Sequence, residues 1–325
     1  MKAFITGANG FAGSHLVEYL LSKGFVVIAL VSQESKLANL RHVLSEIRVE
    51  KTDIRDGERL FQLMREIKAE RVYHLAARSS PSKSLQAPRL TYEVNFGGVL
   101  NLLCALRPLE WECRFLYVGS ADSYGIDVSD PGPLKENCPL RPANPYAASK
   151  AAAELLAFQF YKSYEFPIIR ARPFNHTGPR QSSDFVCSSF ARQIAEIDMG
   201  AREPVVSVGN LNVQRDFSDV RDIVRGYYLL LEKGEPGDVY QLCSGHAVSI
   251  REILEILVGM ASRPIRIAED ESRVRTREAP AVWGDPSKAK EAVGWETQYQ
   301  IKTTLQDLKL YWEEALLEGS SPCLR

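Results

Sequence analysis

Apolar positions in the first half of the chain fall into short unbroken runs, separated by segments of helical spacing. KAFIT (2–6), FVVIALV (25–31), RVYHLAA (71–77), RFLYV (114–118) and PIIRAR (167–172) have strand length, and IRVEKTDI (47–54) contains a further strand. Continuous apolar runs of that length fit strands covered on both faces. Between them, SHLVEYLLSKG (14–24) has helical spacing and stops at a glycine, and residues 57–67 put Leu60, Leu63, Met64 and Ile67 on one face. Residues 89–106 and 145–164 predict two long helices. This alternation predicts an α/β fold with a doubly wound, Rossmann-like parallel sheet. After Arg172 the pattern breaks: RPFNHTGPRQSSD (172–184) is polar and rich in turn formers. A smaller α/β lobe is expected from about Asn175. FSDVRDIVRGYYLLLEKG and then DVYQLCSG predict a helix and a strand that return to the first sheet. The expected division is a first domain of 1–174, rejoined by about 217–243, a second lobe of 175–216 and 244–318, and a loose tail of 319–325.

Composition narrows the partners. A net charge of −1 and a pI of about 6.6 leave no basic surplus for nucleic acid or an anionic membrane, so any anionic ligand must be held by local arginines. No apolar run approaches the ~18 residues of a membrane span. The six cysteines are widely spaced and form no CxxC or Cys/His pattern. Reduced thiols and a cytoplasmic location are expected, since the chain opens directly on MKAFIT without a targeting peptide. His74 and His176 have no companion carboxylates at ligand spacing, so no metal is assigned.

Three motifs carry candidate chemistry. TGANGFAG (6–13) sets Gly7, Gly10 and Gly13 in a GxxGxxG pattern between a strand and a helix. Glycines there permit a tight turn and close approach of a pyrophosphate to a helix N-terminus, the pattern of a dinucleotide site. The second strand ends in ALVSQES, with Ser32 and Gln33 where an NAD site usually carries an acid for the ribose 2′-hydroxyl. Loss of that carboxylate removes repulsion against a 2′-phosphate. NADP(H) is therefore favoured, with NAD(H) as the alternative because no arginine stands there to clamp the phosphate. NPYAASK holds Tyr146 and Lys150 one helical turn apart, a spacing at which an ammonium can lower a phenol pKa. GSADSYG (119–125) places Ser120 and Asp122 on the turn after a buried strand, a common station for catalytic groups.

Taken together, TGANGFAG, the SxxxYG turn, PYAASK and RPFNHTGP resemble the extended short-chain dehydrogenase/reductase family in its sugar-nucleotide branch, over roughly residues 1–315. The resemblance implies a catalytic set of Ser120, Tyr146 and Lys150. It also implies that Asn9 and Phe11 sit with the glycines on the cofactor, and that Ser32, Asp53 and Ile54 face its adenosine end. Leu75, Ala76 and Ala77 would line its ribose and phosphate path. VGNLNVQRDFSDVRD and the REAP-to-GDPSKAKEAVGW tail look like enzymes of GDP-mannose derivatives, which implies that Asn175, Arg215, Arg275 and Glu278 hold a GDP-sugar. For Arg215 a structural ion pair with Asp216 stays open, and for Glu278 a solvated surface charge. Relatives of this kind dimerise through helices matching 89–106 and 145–164, so a homodimer is expected.

Within that branch, dehydratases carry a glutamate two residues after the catalytic Ser/Thr, where this chain has the shorter Asp122. They also resemble GITGQDG in the glycine loop, and tend to arginines at the second strand's end. All three departures point to reduction of the C4 ketone of GDP-4-keto-6-deoxy-D-mannose. A 4,6-dehydratase, an epimerase, or a non-catalytic dinucleotide-binding protein are the alternatives.

Overall fold

The computed structural model describes residues 1–108, 111–125, 132–273 and 278–319. Its first part runs β1 (Lys2–Thr6), α1 (Phe11–Ser22), β2 (Val26–Val31), β3 (Arg48–Lys51), α2 (Gly57–Ile67), β4 (Arg71–His74), α3 (Pro81–Gln86), α4 (Pro88–Tyr92), α5 (Gly98–Leu106), β5 (Arg114–Val118), α6 (Pro145–Tyr164) and β6 (Ile168–Pro173). The chain continues through β7 (Asn175–Thr177), α7 (Val186–Asp198), β8 (Val205–Val208), β9 (Gln214–Arg215), β10 (Phe217–Asp219), α8 (Val220–Lys233) and β11 (Val239–Leu242). It ends with β12 (Val248–Ser249), α9 (Ile250–Val258), β13 (Arg266–Glu269), β14 (Ala281–Val282), α10 (Ser287–Val293) and α11 (Ile301–Leu317).

Seven strands form one parallel sheet in the order β11-β6-β5-β4-β1-β2-β3. The order reverses between β1 and β4, so the loops after them diverge and open a crevice at the carboxyl edge. Apolar side chains leave the sheet on both faces, as continuous hydrophobic strands require. One core packs Leu16, Val17 and Leu20 of α1 and Val224, Tyr227 and Leu231 of α8 on the sheet. The other packs Leu60, Leu63, Met64 and Ile67 of α2 with Leu102 and Leu103 of α5 and Ala153 and Ala157 of α6. The return of β11 to β6 brings the late chain back to this sheet.

The remaining strands make sheets of only two or three strands: β10-β7, β12-β9-β14 and β13-β8. Their core lies among α7, α9 and α11, around Phe190, Ile194, Leu254, Leu308 and Trp312.

Two elements differ from their sequence pattern. The first helix begins at Phe11 rather than Ser14, so Gly13 lies inside it. The expected helix over 89–106 is broken by a π-helical turn at Glu93–Gly97, between α4 and α5. That wide turn carries the buried Asn95, which is tied to other segments described below.

Candidate active site

A cleft of about 1190 Å³ lies along the carboxyl edge of the large sheet, between it and the small-sheet region. It exceeds the ~300–1,000 Å³ of a typical single-ligand pocket, which suits two ligands side by side. Gly7 and Gly13 shape its floor. Gly7 has φ of +70°, and a Cβ there would lie 2.8 Å from Ala76 N. A Cβ on Gly13 would lie 2.2 Å from Gly7 O. The chain therefore folds back on itself, and α1 opens from Gly10 with its N-terminal amides toward the cleft. Thr6 fastens this loop to β4: its hydroxyl accepts from Ala76 N at 3.1 Å and shares a hydrogen bond with His74 Nδ1 at 2.9 Å. Burial pushes the His74 imidazole pKa down to about 3, so the ring is neutral.

The proposed catalytic trio converges on one wall. Ser120 follows β5 as the cap of the next turn, and its hydroxyl accepts from Asp122 N at 3.1 Å, which sets the short turn Ala121–Tyr124. Tyr146 is the second residue of α6, a helix begun by Pro145 and capped by Asn144, whose side chain accepts from Ala147 N. The Tyr146 amide donates to Ser84 Oγ at 3.2 Å. Lys150, one turn on and buried, donates from Nζ to Val118 O at 2.7 Å beneath the Tyr117 ring. Burial lowers its pKa to about 8.

The Tyr146 phenol behaves differently from the expectation of an ammonium-lowered pKa. Burial pushes it well above its ordinary range, the Asp122 carboxylate adds to that, and only a hydrogen bond with Ser120 opposes it. A phenol held neutral in this way is able to act as a proton donor.

The cofactor-side candidates Gly7, Asn9, Gly10, Phe11, Gly13, Ser32, Asp53, Ile54, Leu75, Ala76 and Ala77 all border this cleft, as do Ser120, Tyr146 and Lys150. So do Asn175, Arg215 and Glu278. Arg275 lies outside the described residues. Asp53 forms a forked ion pair with Arg55, which holds its carboxyl below the usual range. Arg215 donates to Ala279 O at 2.9 Å and stands 3.8 Å from Glu278. Asp216 faces the other way, accepting from Ser244 N and Oγ at 2.7 Å, Gly245 N at 3.0 Å and Gly284 N at 3.3 Å. The two neighbours therefore do not pair with each other, and Arg215 keeps its place beside Glu278 on the cleft wall. His176 stacks on Phe11 at 5.8 Å and bonds Phe174 O, a packing role. Among the described residues no three His, Cys, Asp or Glu side chains converge as metal ligands.

Sequence reasoning missed several residues of the site. Arg55 and Arg78 border the cleft, and the DIR triplet at 53–55 was the only hint of the first. Asn95 accepts from Arg78 N at 2.7 Å and donates to Ser149 Oγ at 2.9 Å, linking the loop after β4 to α6. An asparagine within an otherwise apolar helical stretch was its signal.

Comparison with known proteins now decides the family. The model of the GDP-mannose 4,6 dehydratase family matches residues 4–308. The chain belongs to that family. Members similar to it include the GDP-6-deoxy-D-mannose reductase of Pseudomonas aeruginosa, 35% identical over 98% of this chain and 99% of that protein. A GDP-mannose 4,6-dehydratase of Sordaria araneosa is 34% identical over 98% of this chain, which spans 62% of that longer protein. Among solved structures, RMD from Pseudomonas aeruginosa complexed with NADPH superposes with a TM-score of 0.85 at 34% identity, covering 96% of this chain and 99% of that one. Reductase and dehydratase relatives thus stand one percentage point apart, and overall identity does not separate the two activities. Within the family, the site must do so.

Proposed function

We propose that this member of the GDP-mannose 4,6 dehydratase family reduces the C4 ketone of GDP-4-keto-6-deoxy-D-mannose to GDP-6-deoxy-D-mannose. The observation that carries the reading is Asp122 next to Tyr146, a carboxylate one methylene shorter than the glutamate that the resemblance assigns to dehydratases. Elimination of water needs an additional acid/base group at that place, whereas ketone reduction needs none. The phenol held in its neutral form agrees, because reduction consumes a proton at the carbonyl oxygen.

The glycine cradle, closed to any Cβ, fits a dinucleotide, with the pyrophosphate at the α1 N-terminus. Gly7, Asn9, Gly10, Phe11, Gly13, Ser32, Asp53, Ile54, Leu75, Ala76 and Ala77 would hold it, together with Tyr146 and Lys150. NADPH is favoured and NADH is the alternative. When bound, the nicotinamide supplies the hydride. Ser120 and Tyr146 hydrogen-bond the carbonyl oxygen where negative charge develops. Tyr146 gives up its proton as general acid, and the Lys150 ammonium stabilises the phenolate left behind. Arg215, with Arg275, pairs with the diphosphate, while Asn175 and Glu278 contact the sugar nucleotide.

Residues 1–174 and 217–243 then form the dinucleotide-binding domain, with 175–216 and 244–318 as the substrate lobe. The separate core around α7, α9 and α11 supports this division. A homodimer through α4–α5 and α6 is supported by apolar side chains left exposed on these helices, Tyr92, Leu155 and Tyr164, and by Leu85 of the adjoining α3. No helix among the described residues is long and apolar enough to cross a membrane, and we place the enzyme in the cytoplasm.

Turnover tests the reading. With GDP-4-keto-6-deoxy-D-mannose, NADPH should be oxidised and GDP-6-deoxy-D-mannose should form. With GDP-mannose alone, no product should appear. A 4-keto product from GDP-mannose without added NADPH would make the enzyme a dehydratase instead.

A further inference from the structure

Beneath the catalytic turn lies a charged group that the chemistry above leaves unused. Glu154 follows Tyr146 and Lys150 at two successive steps of four on α6, so all three share one helix face. It is 1% exposed. Arg172 of β6 grips both its oxygens, donating from Nε at 2.8 Å and Nη2 at 2.6 Å, and Arg170 adds a longer contact at 3.4 Å. The remaining Arg172 nitrogen reaches forward: Nη1 donates to the Tyr124 hydroxyl at 2.7 Å and to Glu136 O at 2.9 Å. Gln241 of β11 also donates to the Tyr124 hydroxyl. Tyr124 is the last residue of the turn that Ser120 opens.

The turn is thus held at both ends. Its start is fixed by β5, and its end is tied through Arg172 to the helix that presents Tyr146 and Lys150. Gly119 closes the remaining gap, since a Cβ there would stand 3.0 Å from Ala171 O and 3.3 Å from Glu154 Oε2. A buried ion pair is a poor source of stability, because well-packed apolar residues of similar volume often do as well or better. A forked Arg–carboxylate bond does fix direction and distance. We propose that Glu154 and Arg172, acting through Tyr124, are positioning residues that set the spacing between Ser120 and the Tyr146–Lys150 pair.

This inference rests on the reading above only in that Ser120, Tyr146 and Lys150 carry the hydride chemistry. Glu154→Gln keeps the shape and removes the charge; Tyr124→Phe keeps the ring and removes one hydroxyl from the network. Wild type and both variants are compared for kcat, KM for the sugar nucleotide, NADPH affinity by fluorescence, and Tm. A displacement of about 1 Å can cost on the order of a hundredfold in rate, so kcat should fall about tenfold or more in Glu154→Gln and about threefold in Tyr124→Phe. KM and NADPH affinity should stay within about twofold. Should Glu154→Gln fail to fold, Tyr124→Phe decides alone. Unchanged kcat, or kcat and NADPH affinity falling together, would overturn the proposal and leave the network a purely structural one. A wild type that yields 4-keto sugar from GDP-mannose overturns the reductase reading instead, and the same kcat ratios are then read on that turnover.

Discussion

In the large-sheet region seven strands share one parallel register and two continuous apolar cores, while the small-sheet region divides its strands among three sheets. Backbone pairing in the latter is short, two or three residues in most strands, and single carboxylates take over the work of joining segments. Asp216 gathers three backbone amides and the Ser244 hydroxyl from three loop positions. Asp222 accepts from Gln298 N and Tyr299 N at 2.9 and 3.0 Å, and Asp219 caps α8 while accepting from Thr304. Both regions bury apolar cores, and the small-sheet region adds polar staples at a few points. Damage to a core is shared among many contacts; damage to a staple is local. The catalytic wall belongs to the large-sheet region and the GDP-sugar candidates Asn175, Arg215 and Glu278 to the small-sheet region, so variants in the two should fail in different measurements.

The largest effect is expected on the catalytic wall. Tyr146→Phe removes the proposed general acid but leaves the ring and the glycine cradle, so kcat should fall by roughly 10²–10⁴-fold while NADPH titration stays unchanged. Near wild-type turnover in that variant would sink the catalytic assignment. Next comes the staple. Asp216→Ala strands buried amides at Ser244 and Gly284 without their acceptor, at a cost of about 2–4 kcal/mol in a denaturant titration. Because Arg215 adjoins it and pairs near Glu278, KM for the sugar nucleotide should rise well before NADPH affinity changes. Equal loss of both affinities would mean that the two regions are not separable in this way.

The same contrast explains what could be read from sequence. The spacing of Leu60, Leu63, Met64 and Ile67 identified the buried face of α2, because apolar period encodes burial directly. Gly7 and Gly13 were legible for a similar reason: only a residue without a side chain fits where another backbone passes within 3 Å. Polar residues carry no such record of direction. Nothing adjacent to Asp216 reveals that it turns toward Ser244 and Gly284, nor does the alanine-rich pattern of α6 show Glu154 meeting Arg172. The π-turn at Glu93–Gly97 was read as ordinary helix, since its one extra residue per turn leaves the apolar spacing on either side intact.

A smaller effect, and one with an unusual sign, concerns Lys150. Its pKa in the fold is about 8, below the ordinary 10.5, because burial disfavours the ammonium. Between those values the unfolded chain binds more protons than the folded one, so this group's contribution to stability improves as pH rises from about 8 to 10.5. The proposed mechanism needs the ammonium beside the nascent phenolate, so kcat should fall over the same rise, starting near pH 8. Rate and stability moving in opposite directions would mark Lys150 as the titrating group. On the acid side, burial and Arg180 hold His15 neutral down to about pH 4, and His15 joins α1 to Pro179 and Arg180 beyond β7. The unfolded imidazole takes up a proton below its ordinary 6.5, so that junction loses stability as pH falls from 6.5 toward 4.

The smallest effect is expected at Asp122, and it bears most directly on the activity. Asp122 lies exposed on the cleft wall, and its amide donates to the Ser120 hydroxyl. Alanine keeps that amide, so the turn holding Ser120 should survive Asp122→Ala. Loss of the carboxylate removes the second cause of the raised Tyr146 pKa, but burial, the larger cause, remains, and the phenol stays protonated near neutrality. Ketone reduction should therefore stay within about threefold of wild type, far from the 10²–10⁴-fold of a lost general acid. The complementary variant, Asp122→Glu, lengthens the reach by about 1.5 Å, enough on the scale of catalytic geometry to matter by orders of magnitude. It should gain a trace of 4-keto product from GDP-mannose, measured against wild type by chromatography of the nucleotide sugars. A hundredfold fall in ketone reduction on Asp122→Ala would instead make this carboxylate a proton-transfer group and move the enzyme to the dehydratase side of its family.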